Sequence, residues 1–166
     1  MVNLVKVYGS NEHPSKFGPN VRLPYLVEVE FDAADFIEAK GGAIAAADFY
    51  EVIGFPPQTA ILGVWAQCAE AFEGSATNLT LNVGDATDPD RWVAAWDFDA
   101  ATVGTFAART ATDPSGITIS AQTNVRVTVA TLTGTWTAGA VRVQCLVLDL
   151  RDKGNDGFSG IAQLGS

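Results

Sequence analysis

The feature that most constrains this chain is a strict two-residue alternation of apolar and polar side chains, recurring in separate runs. Asn78–Val83 reads Asn, Leu, Thr, Leu, Asn, Val. Leu26–Phe31 sets Val27, Val29 and Phe31 against Glu28 and Glu30, and Asn124–Thr133 sets Val125, Val127 and Val129 against Arg126 and Thr128. Successive side chains of an extended backbone point to opposite faces, so each run is a strand with one face in a core and one toward water. Ala140–Leu150 begins the same way with Val141, Val143, Cys145 and Val147. Its second face then turns apolar at Leu146, Leu148 and Leu150, which predicts burial on both sides or a bulge. Asp48–Phe55 is a β-prone run closed by Pro56-Pro57, and Thr59–Ala69, with Ile61, Leu62, Val64 and Trp65, is apolar on both faces, as a central strand with Trp65 in the core would be.

Turn formers separate these runs: Phe72–Ser75, Asp113-Pro114-Ser115-Gly116 and the Thr133–Gly139 connection, which carries Trp136 at an exposed position. Helix is scarce. Asp88-Pro89-Asp90 has an N-cap acid, a proline at the first helical position and an acid in the first turn, which predicts one or two helical turns over Asp88–Trp96 with Trp92 and Trp96 on one face. A second turn over Ala34–Lys40 would stop at Gly41-Gly42, and Ala43–Ala47 is ambiguous. The predicted fold is all-β: a two-layer antiparallel β-sandwich, jelly-roll-like, with one short helix. With 166 residues, one domain of this size buries about 70% of the surface its unfolded chain exposes and needs no staples. Residues 1–24 differ. A short β-prone run, Met1–Tyr8, leads into Gly9–Asn20, rich in breakers, and then Pro24. This predicts an extended N-terminal arm over 1–24 and a β-domain over 25–166, whose tail from Asp152 is loop-like and carries Phe158, Ile161 and Leu164.

Composition narrows the function classes. The net charge is −9, from 10 basic and 19 acidic residues. No window clusters more than two Lys or Arg, so neither a phosphate backbone nor an anionic membrane is an expected partner. No run reaches the length of a membrane-spanning helix, and Met1–Ser10, with Lys6 inside it, is not a secretory signal. Charged residues make up 17% of the chain, below the ~25% usual for soluble domains, which argues against disorder and long solvated helices.

Catalytic constellations are missing. His13 is the one histidine and sits beside Pro14 in the arm, a poor place for a general base, and no G-x-S-x-G elbow accompanies it. Glu28 with Glu30, and Asp97 with Asp99, are the paired carboxylates a glycosidase would need, but the first pair reads as solvent-facing and neither lies in an evident cleft. No phosphate-binding glycine loop is present. The expectation is no enzyme, no catalytic residues and no cofactor. Metal is not expected either. Even so, Asp85-Ala86-Thr87-Asp88-Pro89-Asp90 and Asp149–Asp156 have some of the oxygens calcium takes, so a site at Asp85, Asp88 and Asp90 stays open. Cys68 and Cys145 each lie in an apolar run and read as buried thiols, with a disulfide as the alternative.

Two segments carry a resemblance: Gly54-Phe55-Pro56-Pro57-Gln58-Thr59-Ala60-Ile61-Leu62, and Leu79-Thr80-Leu81-Asn82-Val83-Gly84-Asp85 continuing through Asp88, Asp90, Trp92 and Val93. A strand ending in a proline turn, a hydrophobic strand, then a Gly-Asp turn and an aromatic-bearing segment resembles small β-sandwich virion proteins of tailed bacteriophages, of the capsid cement or decoration type. The resemblance spans about residues 25–150. It implies a protein that decorates or cements a capsid, or sits in a tail or fibre, and no enzyme activity. The leading expectation is a virion location on the capsid exterior after synthesis in the host cytoplasm, with the major capsid protein and further copies of the chain, as homodimer or homotrimer, as partners. The arm lies outside the resemblance. Val5, Val7, Tyr8, Phe17 and Val21 are the arm's candidate contacts with a neighbour, through strand addition to a sheet edge. The alternative is a tail-fibre or receptor- and glycan-binding module, which would need an exposed aromatic platform such as Trp136.

Overall fold

Alternating apolar runs cannot bury one face alone, and here they pair into two sheets that close on each other. The computed structural model describes residues 6–8, 23–110, 117–119 and 121–150. Its strands are β1 (Lys6–Tyr8), β2 (Tyr25–Asp32), β3 (Phe49–Phe55), β4 (Thr59–Cys68), β5 (Glu73–Gly74), β6 (Asn78–Gly84), β7 (Val93–Asp97), β8 (Ile117–Ile119), β9 (Thr123–Thr133), β10 (Trp136–Ala138) and β11 (Ala140–Asp149), with one helix, α1 (Ala33–Lys40). The turn expected at Asp113–Gly116 and the tail from Asp152 lie outside the described residues.

One sheet runs β1-β2-β11-β4-β8 and the other β3-β9-β6-β7, while β5 and β10 form a two-stranded ribbon. All pairings are antiparallel. Setting aside β1 and the ribbon, eight strands remain, and they pair first with last inward: β2 with β11, β3 with β9, β4 with β8, β6 with β7. That is a hairpin rolled on itself, the jelly roll.

The inward positions are those the alternation marks. Leu79, Leu81, Val83, Val125, Val127, Val129, Val141, Val143 and Cys145 are fully buried. The last strand itself runs without an extra residue: the register shift between Leu146 and Val147 falls on its partner, where Leu62 of β4 is the unpaired residue between Gly63 and Ile61. Cys68 and Cys145 are buried free thiols. On the paired strands Cys68 stands opposite Val141 and Cys145 opposite Val64. This four-residue offset is roughly 13 Å along the strand, too far for a disulfide. Burial pushes both thiol pKa values up.

One end of the sandwich is closed by a continuous aromatic seam. Phe31 meets Tyr50, Tyr50 meets Phe36, Phe36 meets Trp136, Trp136 meets Phe98 and Phe98 meets Trp96, with ring centroids 5.0 to 6.0 Å apart. Helix α1 delivers Phe36 to this seam. Asp32 caps it through a reciprocal box with Asp35, and Gly41 ends it at φ 76°, a left-handed turn that glycine enters without strain.

The structure corrects three expectations. The helix lies at 33–40, while Asp88–Trp96 is a turn followed by β7. The cap chemistry there serves a tight turn instead: the Asp85 carboxylate accepts from the Thr87 and Asp88 amides, and Val93 pairs with Val83 on β6. Short acidic side chains form such turns and helix caps with the same bonds, so the local pattern does not separate them. Trp136 is buried, 2% exposed, because α1 and Phe98 meet over it, and its indole N–H donates to the Ala138 carbonyl at 2.9 Å. Trp65 is not a core residue. It is half-buried on the outer face of β4, beneath the Arg109 guanidinium at 5.0 Å.

Candidate functional site

Three cross-strand rungs cover the outer face of β2, β11 and β4. The first joins Glu30, Arg142 and Gln67, the second Glu28, Gln144 and Trp65, the third Leu26, Leu146 and Gly63. In the first, Arg142 Nη2 and Nε donate to Glu30 Oε2 at 2.7 and 3.1 Å, and Nη1 donates to Gln67 Oε1 at 3.2 Å. Gln144 Nε2 donates to Glu28 Oε2 at 2.6 Å. The two glutamates that could form a carboxylate pair are thus held by an arginine and an amide on the next strand. Ion pairs this open to water add little stability; their effect is to fill the polar half of the face with its own partners.

The arm's first segment joins this sheet. β1 pairs with β2, setting Lys6 opposite Glu28, Val7 opposite Val27 and Tyr8 opposite Leu26. So Val7 and Tyr8 lie in a three-residue edge strand of their own domain, where the sequence placed them in an arm outside the layers. Val5, Phe17 and Val21 lie outside the described residues, as does His13. The residues the sequence reading missed as surface features are Leu26, Trp65 and Leu146. For Leu146 the signal was present in the apolar second face of the last strand.

Four further acids, Asp85, Asp99, Asp97 and Asp48, are engaged in loop architecture. Asp85 is 7% exposed. Its Oδ1 accepts from the Thr87 hydroxyl at 2.6 Å and from the Thr87 and Asp88 amides at 2.8 and 2.9 Å, and its Oδ2 faces Arg91 Nε at 2.8 Å. Burial works to raise its pKa, but these donors outweigh burial and hold it below the ordinary 3.8. The oxygens calcium would need from Asp85 are already taken. Asp99 accepts the Leu79 amide at 2.6 Å and Asp97 the Ala100 amide at 3.3 Å, so that pair also serves backbone. Between α1 and β3, Lys40 donates to the Asp48 carboxylate, and this bond lowers the Asp48 pKa despite some opposing desolvation. Among the described residues, no three of His, Cys, Asp or Glu come together, and no helix is long and apolar enough to cross a membrane.

What the geometry offers is therefore surface: one sheet with a short added edge strand and an outer face that is polar at one end and apolar at the other. The platform a glycan-binding module would need is not built from Trp136, which is in the core.

No protein-family model matches the chain, and no curated protein matches its sequence. Solved structures do. A chain of the cyanophage Pam1 capsid asymmetric unit is 28% identical with a TM-score of 0.54, the match covering 80% of this chain and 86% of that one. A chain of the capsid of Ralstonia phage GP4 is 20% identical with a TM-score of 0.53, over 80% of this chain and 88% of that one. The likeness to bacteriophage virion proteins seen in short sequence segments thus extends to the whole sandwich.

Proposed function

We propose that this chain is a structural protein of a bacteriophage virion, and within the virion a cement or decoration protein on the capsid exterior that bridges neighbouring major capsid protein subunits. The observation that carries this reading is the capsid chain that is 28% identical over 80% of this one. The chemistry agrees with a mechanical role. The acids that might have formed a catalytic pair are bound to backbone or to arginine. A net charge of −9 is repelled by packaged nucleic acid, which favours an outer position.

The work of such a protein is to bury surface at seams between coat subunits. Stable interfaces bury about 1,600 Å² in total. On a closed shell, smaller contacts suffice, because each bound contact raises the effective concentration of the next. Val5, Phe17 and Val21 supply the arm's contacts in this reading, with Val7 and Tyr8 on the outermost strand β1 beside them, and self-association as dimer or trimer gives each particle-bound unit several such arms.

Mass spectrometry of purified virions tests the coarse claim, and absence of the chain from the particle overturns it. For the finer claim, particles are assembled with the chain carrying Val5→Asp, Phe17→Asp and Val21→Asp. Occupancy should fall and the capsids should rupture at lower temperature. Unchanged occupancy removes the arm from the mechanism, and unchanged rupture after complete loss of the chain removes the cement role.

A further inference from the structure

The outer face of the β2–β11–β4 sheet changes character along its length. At the Arg142 end every charge has a partner on the next strand. At the other end Leu26 is 37% exposed and Leu23 40%, and Leu62, Leu146 and Leu148 are half-buried. None of these leucines belongs to the core or packs against it. The Trp65 indole lies across Gly63, where a Cβ would come within 2.5 Å of the ring, so the tryptophan extends the apolar area over the middle of β4. An apolar strip of this kind, set beside a polar half that satisfies itself, is a surface that gains from cover.

The chain leaves the described residues at this same end. β11 runs from Arg142 toward Leu148, and the Leu150 amide is tied to the Gln58 carbonyl at 2.7 Å, fixing the exit point beside the start of β4. Residues 151–166 follow. Their charges, Arg151, Asp152, Lys153 and Asp156, all fall before Gly157, among turn-forming residues; from Phe158 to Ser166 there is none, and Phe158, Ile161 and Leu164 are spaced along that stretch. Seven residues, 151–157, reach at most about 25 Å when extended, ample to reverse direction and return over the face.

We infer that residues 158–164 fold back onto the outer face of their own chain, with Phe158, Ile161 and Leu164 covering Leu26, Leu62, Leu146 and Leu148. The charged turn stays in water and the uncharged stretch takes the strip. This holds whether or not the chain belongs to a capsid, since it concerns the isolated protein.

Methyl-resolved nuclear Overhauser measurements on the full chain provide the test. The expected result is contact between the Phe158 ring and the methyls of Leu146 or Leu148. In a mixture of labelled and unlabelled copies, the contact should arise within one chain. The full-length triple variant Phe158→Ser, Ile161→Ser, Leu164→Ser should lose these contacts. These substitutions lie outside the sandwich, so the fold serves as its own control. Absence of any tail contact with the face overturns the inference. Contacts arising only between differently labelled copies also overturn it, and assign the strip to a second copy.

Discussion

The two outer faces of this sandwich are built on opposite plans. On the β3–β9–β6–β7 sheet, hydroxyls and amides face out. Thr80 and Thr131 share a hydrogen bond at 2.7 Å, Thr131 donates to Asn78 at 3.2 Å, and Asn124 donates to Glu51 at 2.7 Å. Its one exposed aromatic, Phe49, lies beneath the Arg126 guanidinium at 4.8 Å. The β2–β11–β4 face has leucines over half its length and a self-paired charge cluster over the rest. Both sheets share one core and one strand pattern. The difference lies in the second residue of each alternation: on β9 it is polar, as at Arg126 and Thr128, whereas toward the end of β11 it is leucine, at Leu146 and Leu148.

The broadest challenge to this comparison is to remove what both faces stand on. Trp136→Ala should lower unfolding free energy in denaturant titration by about 3–5 kcal/mol, the usual cost of deleting a buried large aromatic. A loss under about 1 kcal/mol would mean that the seam is not structural and would return Trp136 to the surface.

A smaller effect is expected at the loop closing the β6–β7 side. Asp85→Asn keeps the shape but loses the charge that Arg91 and the turn donors satisfy, and should cost about 1–3 kcal/mol. The sign with pH follows from its depressed pKa. The folded state favours the ionised carboxylate, so its stabilisation is full above the unfolded value near 3.8 and is lost as pH falls through the lower folded value. Denaturation midpoints measured from pH 6 downward should therefore drop less for Asp85→Asn than for the parent below about pH 4.

The faces themselves are then compared directly. On the inference that the strip is covered, Leu146→Asp should cost about 1–2 kcal/mol, because it sets a charge among apolar groups, while Thr131→Asp on the other face should stay within about 0.5 kcal/mol. Equal costs at the two positions would erase the distinction. The smallest effect belongs to Thr80→Val, which deletes an exposed hydroxyl pair and should change thermal midpoint by no more than the equivalent of about 0.5 kcal/mol.

Much of the fold was legible because it is local. Val27, Val29 and Phe31 are buried as their spacing demands, and so are Leu79, Leu81 and Val83. The stop at Gly41 was visible as well, whereas the bulge expected in the last strand falls on β4 at Leu62. What was not legible is what distant segments do to one another. The Asp88 turn has the residues of a helix start, and only the pairing of Val93 with Val83 turns it into a strand entry. Trp136 sits between two threonines and reads as exposed until Phe36 and Phe98 arrive from elsewhere in the chain. Trp65 has the spacing of a residue in a strand buried on both faces, yet its outward side is a surface of the domain. Of the candidate contact residues, only Val7 and Tyr8 fall on a described element, and their pairing with Val27 and Leu26 joins segments a local pattern cannot connect.

The sequence alone determined that this is a chain of strands and, in the alternating runs such as Val27–Phe31 and Leu79–Val83, which side chains face inward; the net charge is equally a property of the sequence. Those properties follow from backbone geometry, in which neighbouring side chains point to opposite faces, and from charge counting. Only the tertiary structure decided that the first and last strands of the roll lie side by side, that an aromatic seam closes one end, and that one outer face is apolar over half its length. Those are outcomes of contact between separate segments, as far apart as Glu30 and Arg142, and no short window of sequence contains both partners.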